Sequence, residues 1–567
     1  MLAFGLTCGG GTWAAPAAQT GSPTSKCDRF LMHSIERHPS TGWSSVIVKL
    51  SGADTPRRET QFRAIGMDIY RHLPVVGSIA ARVPSRNLAR LAALPFVERL
   101  SADAAVWKCD QFTVASSEAD TAWKSPYNVS GSGVTVAIVD SGIHSVPDVN
   151  STGLLNTGLL SSNRILSNIS FVAGDNRTDD TCGHGTHVAG IVAGNGMSSS
   201  GLTCYRTFYG IAPQTNLVNV RVLNGTGEGT VSQVIAGIQW VVNNRAKYKI
   251  RVMNLSMGHP IGESYTTDPL CQAVEQAWKA GIVVVCAAGN AGRIQNSVDP
   301  TLDNEGYGTA YGSIQSPGND PYVITVGATK SIDGIRAHDR IATYSSRGPS
   351  RVDLILKPDI TAPGNQIISL LADKSYLDTT FSSTNQIPWS YYSLSLLGGN
   401  STRYFRLSGT SMAAPVIAGA AALMLQATPT LSPDTIKARL MISADKWTDA
   451  AGNTDPCTYG AGYINIPAAL NCTVVATQYA MSPSLSEDSN GNVYINMDSS
   501  IWGTRAIWGT NINDLRAIWG TDAIADASMN LLDASRAIWG TSVWSDRAIW
   551  GVDTSAVDLS STAINGE

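Results

Sequence analysis

Three side chains set at the ends of apolar or small-residue segments could together make an activated nucleophile. Asp140 closes the run Val136-Ala137-Ile138-Val139, which reads as a strand ending in a carboxylate. Strand ends are where α/β sheets place their sites, although a lone aspartate there could equally cap a turn. His184 stands in Gly183-His184-Gly185-Thr186-His187-Val188-Ala189-Gly190, at the head of a small-residue helix. Metal binding by His184 and His187, with Cys182, is the rival reading. It lacks the glutamate that a zinc-protease helix carries between its histidines, and no third ligand stands at a familiar spacing. His187 therefore reads as a satisfied structural histidine. Ser411, in Ser408-Gly409-Thr410-Ser411-Met412-Ala413-Ala414-Pro415, opens a helix over Met412 to Gln426. Free N–H groups there favour developing negative charge, and helix capping is the plainer alternative. The combination decides. A serine hydroxyl needs a base to become a nucleophile, and that imidazole needs a carboxylate to fix its tautomer and stabilise its cation.

The elements that must hold these groups follow from periodicity. Val134–Val139, Leu217–Val222, Ile282–Ala287 and Tyr322–Val326 are apolar on both faces, as strands of a covered parallel sheet are. Thr230 and Gln233 form a capping box ahead of a helix over Val231–Val242. Asp268-Pro269 opens another helix and Gly281 closes it. The expected architecture is α/β with a doubly wound, mostly parallel sheet over residues 120–475. Residues 43–108 read as a small α/β unit: strands at Ser45–Leu50, Ser78–Val83 and Val97–Leu100, with helices at Arg57–Met67 and Ser85–Leu94.

The three motifs resemble, nearly residue for residue, those of the subtilisin-like serine proteases (subtilases), whose triad runs in the order Asp, His, Ser. The resemblance implies a catalytic triad of Asp140, His184 and Ser411. It also implies an oxyanion donor, Asn290, in Val285-Cys286-Ala287-Ala288-Gly289-Asn290. Leu255, Ser256, Met257 and Gly258 resemble the substrate-binding strand, which pairs with an extended peptide. With Met257, Ala287, Ala288 and Gly289 beside it, the pocket is expected to accept large uncharged side chains. Tyr344–Pro349 and Lys357–Gly364 match further family blocks. No cofactor is implied for the chemistry. A structural calcium ion is allowed, with Asp148 matching one family ligand by position, and a surface aspartate in a turn as the alternative. Residues 43–108 resemble the family's inhibitor-like pro-domain, a ferredoxin-like α+β unit that would template the enzyme and inhibit it until cleavage between about Trp107 and Thr121. The stretch from Gly364 to Ser408 is longer than in compact bacterial subtilisins and is expected to form an excursion near the site.

Bulk properties narrow the remaining classes. The chain is 43% hydrophobic and 15% charged with a net charge of −4, and no basic run offers a footprint for nucleic acid. No uninterrupted apolar stretch reaches the length of a membrane span. Residues 1–18 end in Ala15-Pro16-Ala17 and read as a secretory leader followed by a spacer to residue 42, so the enzyme is expected outside the cell as a monomer acting on proteins or peptides. In that oxidising setting Cys182 with Cys204, and Cys457 with Cys472, are candidate disulfides, while Cys286 reads as a buried hydrophobe. Residues 476–567 form a tail in which Arg-Ala-Ile-Trp-Gly recurs at Arg505, Arg516, Arg536 and Arg547. A cell-surface or carbohydrate-binding appendage using exposed Trp rings and Arg cations, short strands packed on the catalytic domain, and a removable C-terminal pro-segment are three readings of it. A rival for the whole chain is a catalytically idle binding protein working through these repeats. A second rival, an acid peptidase of the Ser-Glu-Asp type, is disfavoured by His184 at the base position.

Overall fold

The computed structural model describes residues 26–27, 42–52, 55–73, 77–102, 113–150, 163–394, 400–447, 455–487, 493–496, 554–556, 564 and 566. The leader, residues 107–112 of the expected cleavage window and the Arg-Ala-Ile-Trp-Gly repeats lie outside them. The chain divides into a unit of residues 1–108 and one of residues 109–567.

The first unit runs β1 (Trp43–Leu50), α1 (Pro56–Ala64), β2 (Asp68–Leu73), β3 (Ser78–Pro84), α2 (Leu88–Ala92) and β4 (Val97–Ala102). Its sheet is antiparallel in the order β2-β3-β1-β4. Alternate residues of β1 (Val46, Val48, Leu50) meet Phe62 of α1 and Leu88 and Leu91 of α2 in a separate core. The sequence pattern did not reveal β2. It is an edge strand whose register slips between Ile69 and Arg71, which breaks the two-residue alternation.

The second unit is built on β5 (Thr135–Asp140), β6 (Ile165–Ser170), α3 (His184–Ala193), β7 (Asn216–Arg221), β8 (Glu228–Thr230), α4 (Val231–Tyr248), β9 (Ile250–Leu255), α5 (Pro269–Lys279), β10 (Val283–Ala287), β11 (Ile324–Lys330), β12 (Arg340–Ile341) and β13 (Ile360–Pro363). The strand order is β6-β7-β5-β9-β10-β11, all parallel, with β13 parallel and β12 antiparallel on β11. The four apolar runs become β5, β7, β10 and β11. The order reverses at β5, so the crevice at its carboxyl end is the topological switch point where open α/β sheets bind ligands. The expected capping box is present: Gln233 N donates to Thr230 Oγ1 at 3.3 Å and Thr230 N to Gln233 Oε1 at 2.9 Å. Asp268 caps α5 as expected.

Past the sheet come β14 (Ile367–Leu370), α6 (Tyr376–Asn385), β15 (Gln386–Pro388), β16 (Asn400–Leu407), α7 (Thr410–Ala427) and α8 (Pro433–Ser443). Among the described residues, α7 is the one helix long and apolar enough to cross a membrane, and its buried length is the centre of this core instead. Alanine and glycine let it approach its neighbours closely; a Cβ at Gly419 would lie 2.6 Å from that of Ile211. Pro415 has no N–H to give the Ser411 carbonyl, and Ser256 Oγ supplies that hydrogen bond at 2.8 Å. The excursion from Gly364 to Ser408 forms the ribbon β14-β16-β15 with α6. It reaches the site, since Tyr376 N and Leu377 N donate to the carbonyls of Thr181 and Cys182 at 2.9 and 3.0 Å.

The packed unit does not stop at residue 475. The hairpin β17 (Ser484–Glu487) and β18 (Val493–Asn496) is clipped to Leu354–Leu356 by backbone hydrogen bonds. Ala480 and Leu485 share a core with Leu356, Met441 and Cys457. Ser482 joins a buried ionic cluster in which Lys437 Nζ donates to the carbonyls of Pro321 and Val323 and to Ser482 Oγ, at 2.7, 3.0 and 2.8 Å. Lys357 pairs with Asp359 at 2.8 Å in the same cluster.

Candidate active site

Asp140, His184 and Ser411 come from the end of β5, the start of α3 and the first turn of α7, and they are 0%, 2% and 6% exposed. His184 Nδ1 lies 2.8 Å from Asp140 Oδ1, which also accepts the Ser141 N–H at 2.7 Å. Asp140 Oδ2 has no hydrogen-bond partner among the described residues. The Ser411 hydroxyl donates to the Ser256 carbonyl at 3.0 Å. Ser256 thus grips the serine twice, by its own carbonyl and by the hydroxyl that satisfies the Ser411 carbonyl.

A buried carboxylate that the sequence reading passed over ties acid to base. Asp180 Oδ1 accepts from Ser141 Oγ at 2.8 Å, Cys182 N at 3.1 Å and Gly183 N at 2.7 Å. Its Oδ2 accepts from Thr186 N and Oγ1 at 2.8 and 2.7 Å. Ser141 Oγ in turn accepts Gly185 N at 2.9 Å. The residue after Asp140 and the first turn around His184 are therefore fastened to one side chain. Burial pushes the Asp180 carboxyl up, against these hydrogen bonds, which pull it down. An aspartate four residues before a histidine is a faint signal, because its five partners become visible only in three dimensions. Gly183 is required at the bend: its φ is +105°, and a Cβ would lie 2.6 Å from Ser375 Oγ.

Asn290 follows β10 and faces the same point. Its Oδ1 accepts from Thr410 N at 2.9 Å and Thr410 Oγ1 at 3.2 Å, which fixes the amide's orientation. A Cβ on Gly409 would lie 3.2 Å from Nδ2, so the glycine keeps this approach clear. Leu255, Ser256 and Met257 continue β9 as buried chain, with Gly258 half-buried beyond them. Ala287, Ala288 and Gly289 continue β10 alongside, and Gly289 N donates to Thr410 Oγ1 at 3.0 Å.

His187 takes no part in this cluster. Its Nε2 faces the carbonyls of Ile367 and Phe405, each at 3.1 Å, and Nδ1 has no partner among the described residues. Burial, and secondarily the nearby His184, push its pKa down to about 3. The folded value lies below the ordinary value near 6.5, so the unfolded chain binds the extra proton between these limits. Protonation of His187 therefore opposes folding: the fold loses stability as pH falls from about 6.5 towards 3, and above 6.5 the group, neutral in both states, adds no pH dependence. His187→Gln in a Ser411→Ala background, which prevents self-digestion, is expected to flatten the slope of unfolding free energy between pH 6.5 and 4 by about one proton. Denaturant titration at several pH values checks this.

Two expectations need correction. Cys182, Cys204, Cys457 and Cys472 are free thiols. Cys182 is buried under the loop into α3, while Cys204 bridges backbone to Ser393; Cys457 is enclosed in the core shared with Leu356 and Met441. Asp148 is not a surface residue. Its carboxylate accepts from Ser198 N at 3.2 Å, Ser198 Oγ and Tyr404 Oη at 3.0 Å, and the Arg164 guanidinium donates to its carbonyl. Donors already crowd this position with a guanidinium beside them, so its residues do not fit a calcium ion.

Residues 131–462, more than half of the chain, match the Subtilase family. Serine protease AprX of Bacillus subtilis (strain 168) is 39% identical over 343 residues, covering 59% of this chain and 66% of that protein. Subtilisin DY of Bacillus licheniformis is 34% identical over 322 residues, covering 56% of this chain and 89% of that protein. The crystal structure of a cold adapted subtilisin-like serine proteinase is similar at 29% identity with a TM-score of 0.38, covering 58% of this chain and 89% of that one.

Proposed function

Since the chain belongs to the subtilase family and is a subtilisin-like serine peptidase, we propose that it cleaves internal bonds of extended polypeptides with Ser411 as nucleophile, His184 as base and Asp140 as orienting acid. The observation that carries this reading is the buried 2.8 Å contact between His184 and Asp140 at the sheet's switch point, with His184 heading α3, the helix that packs on α7 and its leading Ser411.

Rotation about the Ser411 side chain exchanges the Ser256 carbonyl for His184 Nε2. His184 takes the hydroxyl proton as Oγ attacks the scissile carbonyl, and it returns that proton to the leaving amine as the C–N bond breaks. Water then releases the acyl group by the reverse path. Asp140, held by Ser141 N–H, keeps Nδ1 protonated and balances the imidazolium. The Asn290 amide and the Ser411 N–H stabilise the oxyanion. Leu255–Gly258 and Ala287–Gly289 line the peptide's path with uncharged surface.

Residues 43–108 we read as an inhibitory pro-domain, on its position before the catalytic unit and its compact antiparallel sheet. We place the active enzyme outside the cell, as the small-residue run ending the leader suggests.

A fluorophosphonate probe tests the central claim. It is expected to label the wild-type protein at Ser411, mapped by peptide mass spectrometry. Folded, processed protein that stays unlabelled would favour the idle binding protein. Asn290→Ala is expected to lower kcat 10²- to 10³-fold, about 3 kcal/mol, with little change in KM, because the amide acts on charge present only in the transition state. Steady-state hydrolysis of a peptide amide measures it.

A further inference from the structure

The chain beyond the repeats returns to the catalytic unit at two places, one on each side of the site. At the first, β19 (Thr554–Ala556) pairs antiparallel with β8, in the register Thr554↔Thr230, Ser555↔Gly229, Ala556↔Glu228. Among the described strands β8 has no other neighbour. It borders the acid and base: the chain leaving β7 donates from Val222 N and Leu223 N to the Asp140 carbonyl at 2.8 and 3.3 Å. That chain then passes Thr181, three residues before His184, where a Cβ on Gly225 would lie 3.2 Å from Thr181 Oγ1.

The second contact lies beside the nucleophile. Ile564 is buried in the main core, and its carbonyl accepts from Asn385 Nδ2 at the end of α6. Gly566, at φ +68°, is so close to Gln366 and Asn365 that a Cβ would lie 2.6 and 2.9 Å from their side-chain atoms, and it abuts Ser408 Oγ as well. Ser408 stands three residues before Ser411, and Gly364 accepts the Gly409 N–H at 2.8 Å. The two contacts are eight residue steps apart, a reach of at most about 29 Å. The first contact thus neighbours the Asp140–His184 side and the second the Ser411 side.

We propose that the chain's end is an intramolecular ligand of the peptide cleft, docked through Thr554–Ala556 as an added strand on β8 and anchored by Ile564, so that it competes with polypeptide substrate. The proposal rests on the reading of this cleft as the peptide site. Strand addition fits because its affinity comes from main-chain hydrogen bonds, which suit a segment of small residues such as Thr554-Ser555-Ala556. Being tethered to the same chain raises its effective concentration towards the millimolar range, so even modest intrinsic affinity keeps the cleft filled.

The test uses the full chain carrying Ser411→Ala, which cannot trim its own tail, with fluorescein-labelled casein as an unfolded polypeptide probe. Alternate N–H groups of a strand face opposite sides, so Ser555→Pro with Ala556→Pro necessarily removes one facing β8. This change lies in the tail and leaves the catalytic unit intact. It is expected to tighten casein binding, measured by anisotropy, about tenfold or more. A synthetic peptide of residues 551–567, added to the proline variant, should then displace casein. Equal casein affinity with and without the prolines, or no displacement by the peptide, overturns the inference while leaving the cleft's assignment standing. Absence of casein binding by either protein would remove both.

Discussion

Ser411→Ala is expected to leave peptide hydrolysis on the order of 10⁶-fold below wild type in kcat, with KM changed little. In the proposed mechanism the hydroxyl makes the covalent bond, and without it His184 has no proton to take. What survives is the catalysis that Asn290 and the first N–H groups of α7 give to water attack, roughly 10³- to 10⁴-fold over the uncatalysed reaction. The fold should tolerate the change. Ser411 Oγ makes one hydrogen bond, to the Ser256 carbonyl, whereas the Ser411 carbonyl keeps its bond from Ser256 Oγ. Single-turnover assays of purified variant and wild type, with loss of fluorophosphonate labelling, measure the effect. Residual activity within a hundredfold of wild type would point to another nucleophile.

Asp140→Asn is the second large effect, a fall in kcat of about 10⁴-fold. The geometry says why a near-isosteric change does so much. Asp140 Oδ1 accepts from both Ser141 N–H and His184, and Oδ2 has no partner among the described residues. An asparagine keeping both acceptances must bury its NH₂ where Oδ2 now has no partner. Turned the other way, it presents a donor to His184 and forces the wrong tautomer. In either case the imidazolium formed during attack loses its counter-charge. Substrate affinity should stay within a few-fold, because Asp140 is completely buried and touches no substrate; kcat and KM measured across pH separate the two contributions.

The parts of this site that could be read from the sequence share a property: each announces itself within a few consecutive residues. Asp140 ends an apolar run, His184 and Ser411 sit at helix heads between glycines, and Thr230 with Gln233 spells its own cap. What could not be read depends on partners far away in the chain. Asp180 becomes important only once Ser141 and Thr186 surround it. Ser256 gains its second role because Pro415 withholds an N–H. The boundary at 475 falls short because Ser482 meets Lys437 and Pro321, 45 and 161 residues upstream, and Leu485 meets Leu354, with no periodicity to mark them. Asp148 and the cysteine spacings misled for the opposite reason: suggestive local pattern, with burial and competing hydrogen bonds deciding otherwise.

The ammonium of Lys437 sets a lower limit on how far this enzyme can be shortened. Its cradle draws on the Pro321–Val323 carbonyls and on Ser482, which arrives only with the hairpin that follows. A fragment trimmed at 475 would leave an interior cation short of an acceptor, a loss of about 1–3 kcal/mol, and would wet Leu356 and Met441 as well. Recombinant versions meant to dispense with the tryptophan-rich repeats should therefore run at least through Asn496.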